Sequence, residues 1–190
     1  MKLAERLTNF FFQDETISDE EREIIQFGLE SIVGNLIGVV LTLAVGIFFR
    51  HVGEALLLWL WLFFLRKNAG GFHASTRAKC LLISTGTLIV SFMIFVMIKH
   101  TIFFYSISIV VAGCIIWILA PVDNPSKELD KFEYKEYQWR SRIILAVEGM
   151  IYILAMCFKW ETVSRSINMA FFIVSVSLLI GNKRGANNET

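Results

Sequence analysis

The chain has 190 residues, 55% of them hydrophobic and only 18% charged. Soluble domains carry about 25% charged residues, so this balance excludes an ordinary soluble globule and points to the membrane. With a formal net charge of +1 and no basic, aromatic-interleaved patch, no nucleic-acid partner is expected.

Residues 1–30 are polar and acidic, which does not fit a cleaved signal peptide. Leu3, Leu7, Phe10 and Phe11 fall on one helical face, suited either to the membrane interface or to packing on the protein itself. Ser18-Asp19-Glu20-Glu21 has the form of a capping box and predicts a helix that runs on into the first apolar segment. Apolar runs suited to a bilayer core of about 30 Å lie at 32–49, 52–65, 81–98, 102–120, 143–158 and 167–180. The second is short and carries Glu54 near one end, which implies a tight pairing with the first. With no internal repeat and no low-complexity linker, residues 1–190 read as one domain. The expected fold is all-α, a polytopic integral membrane protein with about six transmembrane helices.

Lys and Arg set the orientation. Placing the N-terminus in the cytoplasm leaves only Arg50, Lys99, Lys159 and Arg165 outside, with the other fourteen of the 18 basic residues inside. Both termini and the connection 66–80 then face the cytoplasm. So does the loop 121–142, where Pro121 and Pro125 stop the fourth helix. Beyond them, Phe132, Tyr134, Tyr137 and Trp139 predict an interfacial helix at headgroup level. The tail after Gly181 is polar and expected to fray.

The connection 66–80 concentrates the chemistry. It reads Arg66-Lys67-Asn68-Ala69-Gly70-Gly71-Phe72-His73-Ala74-Ser75-Thr76-Arg77-Ala78-Lys79-Cys80. A cysteine nucleophile acts as its thiolate, and a neighbouring imidazole can take the proton. One unbroken helix would separate His73 from Cys80 by about 10.5 Å along its axis, whereas proton transfer needs roughly 3 Å. A break is therefore required. Gly70-Gly71 supplies it, and Ser75 or Thr76 can cap the next helix, placing Cys80 in that helix's first turn. There the helix N-terminus, Arg77 and Lys79 all favour the thiolate.

The plain alternative is a packing cysteine beside a solvated loop histidine. A metal site at His73 and Cys80 would need two more ligands, and His51 and His100 lie on the opposite face by the charge count, so no metal or other cofactor is expected. Cys114 and Cys157 sit in apolar runs and are expected to pack. Glu148, inside the fifth segment, is either functional or a helix-packing contact. Asp123 is a candidate to orient His73, supported only by sharing its side of the membrane. Arg66 and Lys67 either anchor a helix end or, for Arg66, bind a substrate carboxylate.

The sequence resembles the AgrB family of bacterial membrane cysteine endopeptidases. The likeness rests on Arg66, the run Gly70-Gly71-Phe72-His73-Ala74, Cys80 seven residues after the histidine, and Ala120-Pro121-Val122-Asp123-Asn124-Pro125. It covers nearly the whole chain. The resemblance implies a quorum-sensing enzyme of the bacterial cell membrane, with its site at the cytoplasmic face. Such an enzyme cuts an AgrD-like precursor peptide at its C-terminal side through an acyl-enzyme, then closes a thiolactone or lactone ring. His73 and Cys80 would be catalytic and Arg66 and Gly71 important for activity. The basic rim of Lys67, Arg77 and Lys79 would suit an acidic precursor tail. A homodimer is also compatible with the family. The competing reading is a transporter or exporter of a small peptide without covalent catalysis, against which stands the lack of an inverted repeat.

Overall fold

A computed structural model describes residues 19–71, 77–97, 102–122 and 130–188. The stretch 1–16, Ser18 and His100 lie outside the described residues. Every regular element among the described residues is an α-helix: α1 (Asp19–Phe48), α2 (Val52–Ala69), α3 (Arg77–Met97), α4 (Ile102–Leu119), α5 (Lys131–Cys157) and α6 (Glu161–Asn188). The fold is all-α, as expected. Two stretches, Ile24–Phe48 and Glu161–Asn182, are long and apolar enough to cross a membrane, and Leu81–Phe95 and Phe103–Leu119 are shorter apolar helices.

The chain falls into two units, Met1–Leu41 and Thr42–Thr190. In the first, α1 exposes Ile24, Ile32, Leu36 and Val40, a surface that suits lipid better than water. The second holds the core and the candidate site.

That core is built around α6, which is apolar on two faces. Ile167, Phe171, Val174 and Leu178 recur at helical spacing and join Leu65, Ala69, Ile116 and Leu145. Met169, Ala170 and Ile173 join Leu58, Leu88, Phe92 and Tyr105 instead. A helix apolar on opposite sides must be enclosed, and α6 packs against α2, α3, α4 and α5. Its helix also runs past the expected end near residue 180, to Asn188. Gly181 and Gly185, four residues apart, each cost about 1 kcal/mol in a helix and do not stop it.

α5 corrects a second expectation. The sequence predicts an interfacial helix within 121–142 separate from a span at 143–158, whereas α5 is continuous from Lys131 to Cys157. Asp130 caps it, its carboxylate accepting from the Lys131 N–H at 2.7 Å, while Glu133 reaches back to accept from the Asp130 N–H at 3.3 Å. Neither Gly nor Pro occurs between Lys131 and Glu148, so nothing interrupts the helix once it has started.

Far from the glycine pair, the bundle closes on a buried ion pair. Glu54 is 7% exposed; its Oε1 lies 2.9 Å from His51 Nδ1 and accepts from Arg165 Nη1 at 3.2 Å. The sequence reading tied Glu54 only to the pairing of the first two spans, and its partner on α6 is 111 residues away. Removing one member of a buried pair strands the other charge. Glu54→Ala is expected to cost about 3–5 kcal/mol, read as a lowered thermal midpoint of the purified protein. A midpoint within a degree of wild type would show that the pair contributes nothing.

Candidate active site

α2 carries Arg66 and Lys67 in its last turn and closes on Gly70, whose N–H donates to the Arg66 carbonyl at 3.1 Å. Gly70 has φ 69° and Gly71 φ 133°, values that side chains make costly and glycine does not. The helix stops there, and the next begins at Arg77. Cys80 is therefore the fourth residue of α3, in its first turn, where the helix arithmetic requires it. Residues 72–76, including His73, lie outside the described residues, as do the side chains of Arg77 and Cys80.

Two contacts fix where the connection begins. Gly70 pairs with Val122 as an isolated parallel β-bridge, and the Val122 N–H donates to the Ala69 carbonyl at 3.1 Å. A Cβ on Gly70 would strike the Val122 carbonyl oxygen, and one on Gly71 would sit 2.6 Å from Ser177 Oγ of α6. Space and backbone conformation thus both demand glycine at position 70, and backbone conformation demands it at 71, where the Ser177 hydroxyl would have to rotate aside. Val122 follows Pro121, whose peptide bond to Ala120 is cis, and Pro121 ends α4 because it has no N–H to continue the helix.

Sequence reasoning connected 66–80 with 120–125 only by sidedness and family likeness; a hydrogen bond and a bridge join them directly. Asp123, the residue after Val122, lies outside the described residues. Ser177 was missed altogether. Its only sequence signal is that it is one of two serines set in an apolar run, Val174-Ser175-Val176-Ser177-Leu178.

Around this junction the charge is basic. Lys67 is exposed, with its Nζ 6.0 Å from the centre of the Phe63 ring, and Lys79 is exposed on the first turn of α3. The N-terminal turn of α3 adds the positive end of the helix dipole near Cys80. Among the described residues, no group of three or more His, Cys, Asp or Glu could hold a metal ion.

Cys114 and Cys157 are free thiols on the exposed surface, not the packing residues expected; their helices turn those faces away from the core, where a small sulfur side chain can meet lipid without cost. Glu148 is 2% exposed, and among the described residues neither of its carboxyl oxygens has a hydrogen-bond partner.

Comparison with known proteins gives a consistent result. The family model described as accessory gene regulator B matches residues 4–179. The chain is 30% identical over 155 residues to AgrB-like protein 2 of Clostridium perfringens strain 13 / Type A, covering 76% of this chain and 71% of the relative. It is 29% identical over 161 residues to an AgrB-like protein of C. perfringens strain SM101 / Type A, covering 76% and 73%. No solved structure matches the chain.

Proposed function

The chain belongs to the AgrB family, and from that premise we propose that it is a membrane cysteine endopeptidase that cuts and cyclises an AgrD-like precursor of a quorum-sensing peptide. The observation that carries this reading is the break at Gly70-Gly71 followed by Cys80 in the first turn of a new helix. A continuous helix would have kept His73 and Cys80 about 10.5 Å apart in axial rise.

In the proposed reaction His73 takes the Cys80 thiol proton, and the thiolate attacks the carbonyl carbon at the precursor's cleavage point. A C–S bond forms, the peptide C–N bond breaks, and the departing amine leaves with the proton held by His73. The retained part of the precursor is now a thioester on Cys80. A cysteine thiol or serine hydroxyl of that same peptide gives its proton to His73 and attacks the thioester. Cys80 departs as the thiolate and the ring closes as a thiolactone or lactone. A site at the membrane edge favours this transfer over hydrolysis by limiting water.

Arg66, Lys67, Arg77 and Lys79 form a basic rim for an acidic precursor tail. Gly71 holds the backbone turn that begins the connection. Six membrane spans, with both termini and this site on the cytoplasmic side, complete the reading; the lysine and arginine distribution supports it.

Asp123 gains support as the group that orients His73. Val122 is bridged to Gly70, so Asp123 is one residue from that bridge and His73 three residues from its other side. Asp123→Asn is expected to lower cleavage by about 10-fold or more, by loss of the correct imidazole tautomer. Wild-type rates in that variant would remove Asp123 from the site.

The direct test is co-expression with a precursor having an amphipathic leader, a Cys or Ser core and an acidic tail. Release of the tail and appearance of a cyclic product are expected. A transporter without covalent chemistry would leave the precursor whole.

A further inference from the structure

We propose that the cleft between α4 and α5 binds an anionic phospholipid, with its acyl chains in the cleft and its phosphate at Arg142. The cleft has a volume of about 650 Å³ and an almost wholly apolar lining. Ser106 and Val110 of α4 form one wall, Ala146, Gly149 and Ile153 of α5 the other, and the buried Phe171 of α6 also lines it. Val110 and Ile153 are exposed, so the cleft opens outward. The proposal rests on one part of the reading above, that α4 and the apolar part of α5 lie in the bilayer, and uses none of the peptidase chemistry.

A cation marks one end of this cleft. Arg142, Ala146, Gly149 and Ile153 recur at spacings of four, three and four, which is one face of α5. Arg142 therefore stands one turn, about 6 Å, beyond the lining. On α4, Trp117 stands two turns beyond Val110, on the face that Val110 shares with Ser106. The two outer residues meet, the Arg142 guanidinium lying 4.7 Å from the centre of the Trp117 ring. Below that contact the α5 wall is small: a Cβ on Gly149 would find nothing within 4 Å.

Among the described residues Arg142 has the Trp117 ring and no carboxylate, and its Nε is buried without a hydrogen-bond partner. The acids near it on α5 are engaged elsewhere, Glu136 with Arg140 and Glu133 with the Asp130 N–H. Stacking on a ring uses the face of a guanidinium and leaves its N–H edge for an anion, which for arginine is characteristically a phosphate or carboxylate. Lys135, exposed and seven residues before Arg142 on the same face, adds positive charge about 10.5 Å farther out. Basic pockets between membrane helices are where phospholipid headgroups are held. A cation one turn from an apolar cleft matches an anion joined directly to hydrocarbon. A free phosphate would leave the cleft unfilled, and a partner helix would have to carry an acid at the edge of its apolar face.

The test is melting of the purified full-length protein in a neutral detergent, at constant ionic strength. Phosphatidylglycerol, phosphatidylcholine with the same chains, or inorganic phosphate is added in increasing amounts. Phosphatidylglycerol alone is expected to raise the midpoint by several degrees. Arg142→Gln should move half-saturation to about tenfold higher lipid. Gly149→Leu, which fills the cleft and leaves the charge, should do the same and decides if Arg142→Gln does not fold. Arg140→Gln should leave the response unchanged. An equal response to phosphatidylcholine or to inorganic phosphate overturns the proposal, as does a wild-type response in Gly149→Leu or a loss as large in Arg140→Gln. A dimer that Gly149→Leu dissociates, with no effect of phosphatidylglycerol, would assign the cleft to a second copy instead. Release of wild type from membranes by alkaline carbonate, read separately, would remove the spans and this site with them.

Discussion

Replacing Cys80 with serine is expected to abolish precursor cleavage, by at least about 10³-fold, while leaving the protein folded and in the membrane. The thiolate is both the better nucleophile and the better leaving group, and the loss comes from the chemical step. His73→Ala is expected to lose about 10²–10⁴-fold, the usual contribution of a positioned general base. The two losses should not add, because both residues serve one proton transfer. Both variants should still bind precursor, which pull-down of the intact peptide would read. Undiminished cleavage in both would remove the pair from the mechanism, and loss of binding together with cleavage would make them structural.

Gly71→Ala is expected to fall nearly as far in activity, for a different reason. At φ 133° an L side chain is strained, typically by about 1–3 kcal/mol. Its Cβ would also meet Ser177 Oγ at 2.6 Å, closer than van der Waals contact allows. Either the Ser177 hydroxyl rotates aside or the connection shifts, and a displacement of about 1 Å at a catalytic group can cost 10²-fold. Because strain and contact are separate causes, Ser177→Gly in the Gly71→Ala background should restore part of the activity and not all of it. Ser177→Gly alone should cost little. Steady-state cleavage rates on matched membrane preparations decide this. Full activity in Gly71→Ala would show that the glycine geometry does not control the site.

The parts of this protein that were legible in sequence are those governed by local rules. Gly70-Gly71 announces a helix break because no other residue adopts those φ values at low cost. Position counting from that break places Cys80 in the first turn of α3, and apolar run length separates the helices. Long-range partners were not legible. Glu54 reads locally as a charge near a helix end, and nothing near it in sequence names Arg165. Ser177 and Val122 press on the glycine pair only because α6 and the cis-proline turn converge there in space. The separate interfacial helix and the early end at residue 180 were misjudged through one assumption, that helices end where the membrane does. Helices end where a cap, glycine pair or proline ends them, and Asp130 starts α5 well before its apolar part.

Intact-mass analysis of the protein mixed with a precursor whose ring-closing Cys or Ser is replaced by alanine tests the acyl-enzyme most directly. Without its internal nucleophile the retained peptide fragment should accumulate on the enzyme as a covalent adduct at Cys80, removable by hydroxylamine and absent in Cys80→Ser. Release of the acidic tail with Cys80 still free to alkylate, and no adduct at any time point, would contradict covalent catalysis by this cysteine.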